Sequence, residues 1–149
     1  MDRRDFLKTV AVSGAAMTIQ RSEAMEILTQ AVNSTGKPDL VAVMGDEPEL
    51  MFQRAIAELG GMKQFVKSGQ KVVVKPNIGW DKVPELAGNT NPKLVAEIVK
   101  QCFAAGAKEV TVFDHTCDDW QKCYKNSGIE SAAKAAGAKV MPAHLESYY

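Results

Sequence analysis

Asp114-His115-Thr116-Cys117 is the densest run of chemistry-bearing side chains in this sequence. Histidine titrates near neutral pH, so next to a carboxylate it can take up and pass on a proton. Asp114 and His115 are therefore the candidate catalytic pair. His115, Cys117 and Cys123 are also three metal-ligand types close together, although their spacing matches no standard zinc or iron–sulfur pattern. A Cys117–Cys123 disulfide is the alternative in an oxidising compartment. In a continuous helix their Cα atoms would lie roughly 9 Å apart, too far to bridge, so that pairing requires Cys117 to precede the helix. Cys102 reads as a buried thiol on a helix.

A second group could hold an anion. Lys75 offers a point charge and Asn77 an amide donor. The alternative is a strand-terminal lysine in solvent followed by a Pro-Asn turn, which Pro76 makes in any case. Thr90 and Asn91 stand before Pro92, where a helix N-terminus presents backbone donors to an anion. The alternative there is plain helix capping. Trp80 and Trp120 either flank one mouth or cover a sheet edge. The sequence contains no Walker, G-x-G-x-x-G, H-E-x-x-H or G-x-S-x-G pattern.

These residues need strands that end where they begin. Leu40-Val41-Ala42-Val43-Met44 reads as a buried strand closed by Gly45. Pro48 suits the first turn of a helix capped by Asp46 or Glu47, with Leu50, Met51, Ala55, Ile56 and Leu59 as its apolar face and Gly60-Gly61 as its stop. Val72-Val73-Val74 predicts a strand covered on both faces. A loop rich in Pro, Gly and Asn follows from Pro76 to Asn91. A helix then runs from Pro92, its buried stripe formed by Leu94, Val95, Ile98, Val99, Cys102 and Phe103. Gly106 ends it, and Glu109 to Phe113 is the next strand. Ser127 and Glu130 match a capping box opening a helix through Ala136. Lys139-Val140-Met141 is a last short strand. Ala104-Ala-Gly-Ala-Lys108 recurs as Ala135-Ala-Gly-Ala-Lys139, each time joining a helix end to a strand.

This alternation predicts an α/β fold: a small parallel sheet of about four strands with helices on both faces, Rossmann-like and three-layered. In such sheets ligands bind at the carboxyl ends of the strands. The loops Gly45-Asp46-Glu47, Lys75 to Trp80 and Asp114 to Asp118 all qualify. So few strands, with the chain stopping at Tyr148-Tyr149, suggest an incomplete half-domain, or a homo-oligomer or partner chain that completes the sheet.

The first residues, Met1-Asp2-Arg3-Arg4-Asp5-Phe6-Leu7-Lys8, resemble a twin-arginine export consensus. A weakly apolar stretch from Thr9 to Ile19 follows, then Arg21 and a small-residue cleavage pattern at Ser22-Glu23-Ala24. The domains expected are a signal over 1–24, a linker over 25–38 and an α/β domain over 39–149. An exported, extracytoplasmic or periplasmic location follows from that leader. Lys plus Arg and Asp plus Glu number 18 each in 149 residues. Without a basic field, nucleic acid is not an expected partner. No apolar run reaches the roughly 18 residues that would span a bilayer, so no membrane association is expected after cleavage.

Three segments together resemble the N-terminal half of the DUF362 family. They are Val72-Val-Val-Lys-Pro-Asn77, Asn89-Thr-Asn-Pro-Lys-Leu-Val95 and Ala104-Ala-Gly-Ala-Lys-Glu-Val-Thr-Val-Phe-Asp114. The likeness runs from about Asp39 to Val140. The family is a domain of unknown function in bacteria and archaea. Some of its members carry a ferredoxin-like iron–sulfur module and others twin-arginine leaders. The resemblance implies that Lys75, Asn77, Thr90, Asn91 and Asp114 belong to a site. Family members continue beyond this length, so the resemblance also implies a truncated or split copy. The iron–sulfur cysteine run is absent, so no cofactor is carried over and its identity stays unknown.

Three readings of function remain open. The first is an exported enzyme or redox-associated protein acting on a small anionic ligand. The second is a non-catalytic binding or partner module. The third is a metal or iron–sulfur carrier.

Overall fold

The computed structural model describes residues 38–142. The expected leader, nearly all of the linker and the last seven residues lie outside that range.

Helix α1 runs over Pro48–Glu58. Pro48 occupies its first turn, where a missing N–H costs nothing. Glu47 is the N-cap, yet its side chain makes no capping bond. Gly61 N–H returns to Ile56 O at 2.7 Å and closes the far end. Both Gly60 and Gly61 have positive φ, which a side chain would resist. A short 3-10 turn, Met62–Gln64, leads to strand β1, Lys71–Val74. A second 3-10 turn, Pro84–Leu86, lies in the long loop. Helix α2, Pro92–Ala104, starts where Asn91 Oδ1 accepts from Lys93 N–H at 2.9 Å. Strand β2 is Glu109–Val112, helix α3 Trp120–Asn126, helix α4 Ile129–Ala135 and strand β3 Lys139–Val140.

The repeated Ala-Ala-Gly-Ala-Lys segments make the same joint twice. Gly106 N–H bonds Phe103 O and Ala107 N–H bonds Cys102 O; Gly137 N–H bonds Lys134 O and Ala138 N–H bonds Ala133 O. Both glycines have positive φ. This is the helix stop in which a left-handed glycine returns two N–H groups to the last turn.

The sheet is parallel with order β1-β2-β3, and Val72 and Val74 stand beside Val110 and Val112, with Val140 beside Val112. These valines face a core that contains Val95, Val99, Cys102, Cys123, Tyr124, Ile129 and Ala133. The class is the one expected, a small parallel α/β unit with Rossmann-like winding. Several details differ.

The described strands number three. Leu40 to Met44 is not a strand: Leu40 is 84% and Met44 97% exposed. An apolar run becomes a strand only where a neighbouring strand accepts its hydrogen bonds, and among the described residues this one has no such neighbour. Among the described residues the helices cover one face. A strand order that never reverses, combined with right-handed crossovers, sends every crossover helix to the same side. The other face carries Lys71, Val73, Glu109, Thr111 and Lys139, with Val73 60% exposed. The expectation that the β1 valines are covered on both sides is corrected accordingly. Leu50, expected on the buried face of α1, is exposed.

Helix α4 also starts differently. Gly128, at φ 72°, is its N-cap, and Ser127 lies one residue earlier, ending α3. Ser127 Oγ accepts from Ile129 N–H at 3.3 Å, and Glu130 pairs with Lys134 at 2.6 Å instead of closing a capping box. Among the described residues, no helix is long and apolar enough to cross a membrane.

Candidate functional site

Register sets the site. Val74 and Val112 lie side by side in adjacent parallel strands, so the residues after them emerge together at the carboxyl edge. Lys75 follows the first and Asp114 lies two residues after the second. Asp114 is 4% exposed. A buried carboxylate must be paired or hydrogen-bonded to remain charged. Its Oδ1 makes an ion pair with Lys75 Nζ, and its Oδ2 accepts from Ile78 N–H at 2.8 Å.

Tyr124 holds the same residue by its backbone. Its hydroxyl accepts from Asp114 N–H at 2.8 Å and lies within hydrogen-bond distance of Asp114 O (2.8 Å) and Met141 O (3.0 Å). Tyr124 thus ties the ends of β2 and β3 together from α3. Trp120 packs edge-on against it, ring centres 6.1 Å apart.

The two loops are stitched to each other. Cys117 N–H and Asp118 N–H both donate to Gly79 O, at 2.8 and 3.2 Å. Asp118 Oδ2 accepts from Asp81 N–H at 3.0 Å, and Asp81 Oδ1 from Asn126 Nδ2 at 2.7 Å. The loop after β1, the loop after β2 and α3 therefore share one edge of the fold.

Asn77 and Thr90 are brought together. Asn77 N–H donates to Thr90 Oγ1 at 2.9 Å, and Thr90 N–H returns to Asn77 O at 3.0 Å. Asn77 Nδ2 donates to Gly88 O, and its Oδ1 accepts from Gly79 N–H at 3.1 Å. The polar ends of Asn77 thus close the loop base. Asn91 caps α2. Of the four residues expected to hold an anion, Lys75 alone carries a charge, on a side chain 62% exposed.

His115 is exposed and lines a shallow pocket of about 280 Å³ with Thr116, Asp118, Asp119 and Trp120. Within the suggested metal set, His115 and Cys117 are exposed, while Cys123 is buried on α3 with its Sγ 3.6 Å from Gly79 O. Among the described residues, no three His, Cys, Asp or Glu side chains are grouped to hold an ion. Burial pushes the Cys123 thiol pKa up, as it does that of Cys102. Trp80 and Trp120 differ: Trp80 is exposed, and Trp120 packs on Tyr124.

Sequence reasoning missed three positioning residues. Tyr124 gave no signal, because a lone tyrosine on a short helix reads as core. Asn89 accepts from Trp80 N–H at 3.0 Å and donates to Trp80 O and Lys82 O. An asparagine in a loop rich in Gly and Pro is the type that folds a backbone onto itself, and that signal was available. Glu97 is buried in α2, its Oε1 accepting from Gln53 and Gln101 amides at 2.9 Å each. Nothing in the apolar stripe around it foretells a buried carboxylate.

A family model described as "Domain of unknown function (DUF362)" matches residues 72–149, more than half of the chain. The match begins at β1 and includes both loops of the site. No curated protein and no solved structure matches the chain significantly.

Proposed function

This chain belongs to the DUF362 family, and from that premise we propose that it is an exported domain that binds a small anionic ligand at the carboxyl ends of β1 and β2. The observation that carries this reading is the Lys75–Asp114 pair, a largely exposed ammonium anchored by a buried carboxylate. A lysine has three N–H donors. Asp114 takes one, which leaves two for a ligand approaching from solvent. Anchoring also removes part of the side-chain entropy that a free lysine loses on binding. Asp114 serves in this reading to hold Lys75 in place. His115, the next residue and exposed, supplies proton transfer if the bound ligand reacts. Asn77, Thr90 and Asn91 shape the loop that brings backbone groups to the same edge.

Inorganic phosphate and oxalate, titrated calorimetrically into the full chain, test the binding. Lys75→Met removes a charge-assisted hydrogen bond and is expected to weaken binding by roughly 10- to 100-fold. Equal affinity in the variant would overturn the site. His115→Ala is expected to leave affinity within a few-fold of the parent.

Export rests on the leader residues Arg3 and Arg4 and the weakly apolar stretch behind them. Replacing both arginines by lysine is expected to leave the chain in the cytoplasmic fraction of its host. Continued recovery outside the cytoplasm would refute twin-arginine export.

A further inference from the structure

Two of the three cysteines meet at one glycine. Cys117 N–H donates to Gly79 O at 2.8 Å, and Cys117 Sγ lies 3.7 Å from where a Cβ on Gly79 would stand. Cys123 Sγ lies 3.6 Å from the same Gly79 O. Helix α3 begins at Trp120 with Asp119 as its cap, so Cys117 precedes the helix. The spacing that would keep the two apart in a continuous helix therefore does not apply. Cys102 sits apart from them, buried on α2.

We propose that Cys117 and Cys123 form a reversible intramolecular disulfide beside Gly79, a latch that fastens the loop after β2 to α3. The two thiols have unequal access. Cys117 is exposed and meets an oxidant first; Cys123 is buried and is reached through Cys117. A side chain at Gly79 would stand 3.7 Å from Cys117 Sγ and 2.9 Å from Asn77 Oδ1, so glycine leaves this side of Cys117 open.

With a small-molecule disulfide such as oxidised glutathione the exchange balances. The Cys117 thiolate attacks the glutathione disulfide, and one glutathione leaves as a thiol, taking up the proton that Cys117 gave. The Cys123 sulfur then attacks the Cys117 mixed disulfide, and the second glutathione leaves with the Cys123 proton. One protein S–S bond forms and the glutathione S–S bond breaks. Two electrons pass from protein to glutathione. The latch is independent of the ligand proposed above, since neither sulfur is asked to touch it.

The test is equilibration of the full chain in glutathione redox buffers, acid quenching and mass spectrometry. The expected product has lost the mass of two hydrogens. Trypsin cuts after Lys122, so the bridge should appear as two peptides, 109–122 and 123–125, joined until reduction. Closing so short a loop should raise Tm by roughly 5–15 °C. Cys117→Ser should abolish both the bridge and the rise. Cys123→Ser should stop at a stable glutathione adduct on Cys117. The proposal fails if the parent chain itself stops at that adduct, if the bridge forms between chains, or if the Tm rise survives Cys117→Ser.

Discussion

Asp114 illustrates how a single residue can be constrained on all sides by groups far away in sequence. Its carboxylate meets Lys75 and Ile78 N–H, and its backbone meets Tyr124. The Tyr124 hydroxyl serves backbone groups just past the ends of two strands, so its removal leaves buried polar atoms unpaired. Tyr124→Phe keeps the ring and its contact with Trp120. It is expected to cost about 1–3 kcal/mol, the usual penalty for an orphaned buried partner. A lower urea midpoint with an unchanged m value would show that loss. An unchanged midpoint would mean that water replaces the hydroxyl. Asp114 and Lys75 stood out in the sequence because each follows a strand-like run. Their pairing did not, because nothing in one chain says which strands are neighbours.

The strands carry a charge row on their open face. Glu109 in β2 pairs with Lys139 in β3 and, at 3.9 Å, with Lys71 in β1. The Lys139 hydrogen bond, aided by the nearby lysine charges, holds the Glu109 carboxyl below its ordinary range, against a smaller upward push from desolvation. A carboxyl depressed in the folded state stabilises above its unfolded pKa, ordinarily about 4.3, and loses that contribution as pH falls through the folded value. Glu109→Gln should therefore be less stable than the parent near neutral pH, and the gap should close in acid. The row is exposed, so the gap should be small and should shrink in high salt. Melting curves across pH would show it; a gap that widens in acid would contradict the pairing. Elements built from local chemistry were legible in the sequence. The Asn91 cap, the Gly60-Gly61 stop and the paired Ala-Ala-Gly-Ala-Lys joints all depend on residues no more than five positions apart. The Ser127 capping box failed, because Ser127 is the C-cap of α3 and Gly128, the next residue, is the N-cap of α4.

At the scale of the whole molecule, the described sheet has one covered face and one bare one. Val73 on that face, and Leu40 and Met44, are exposed apolar side chains that a second copy or a partner chain could cover. Light scattering coupled to size-exclusion chromatography is expected to show a mass above that of one chain, falling to one chain in Val73→Lys. A monomer at high protein concentration, with Val73→Lys unchanged, would count against self-association through this face.

The sequence alone determined the alternation of helix and strand, the stops and caps between them, the α/β class and the loops from which a site can be built. Each rests on periodicity or on a residue's own backbone preference, which act over a few positions. Tertiary structure decided which candidates meet. It joined Lys75 to Asp114, folded Asn77 onto Thr90, brought Cys117 and Cys123 to Gly79, and left Leu40 to Met44 outside the described sheet. Those outcomes depend on strand order and register, which arise only when distant segments compete for the same hydrogen bonds and the same buried surface.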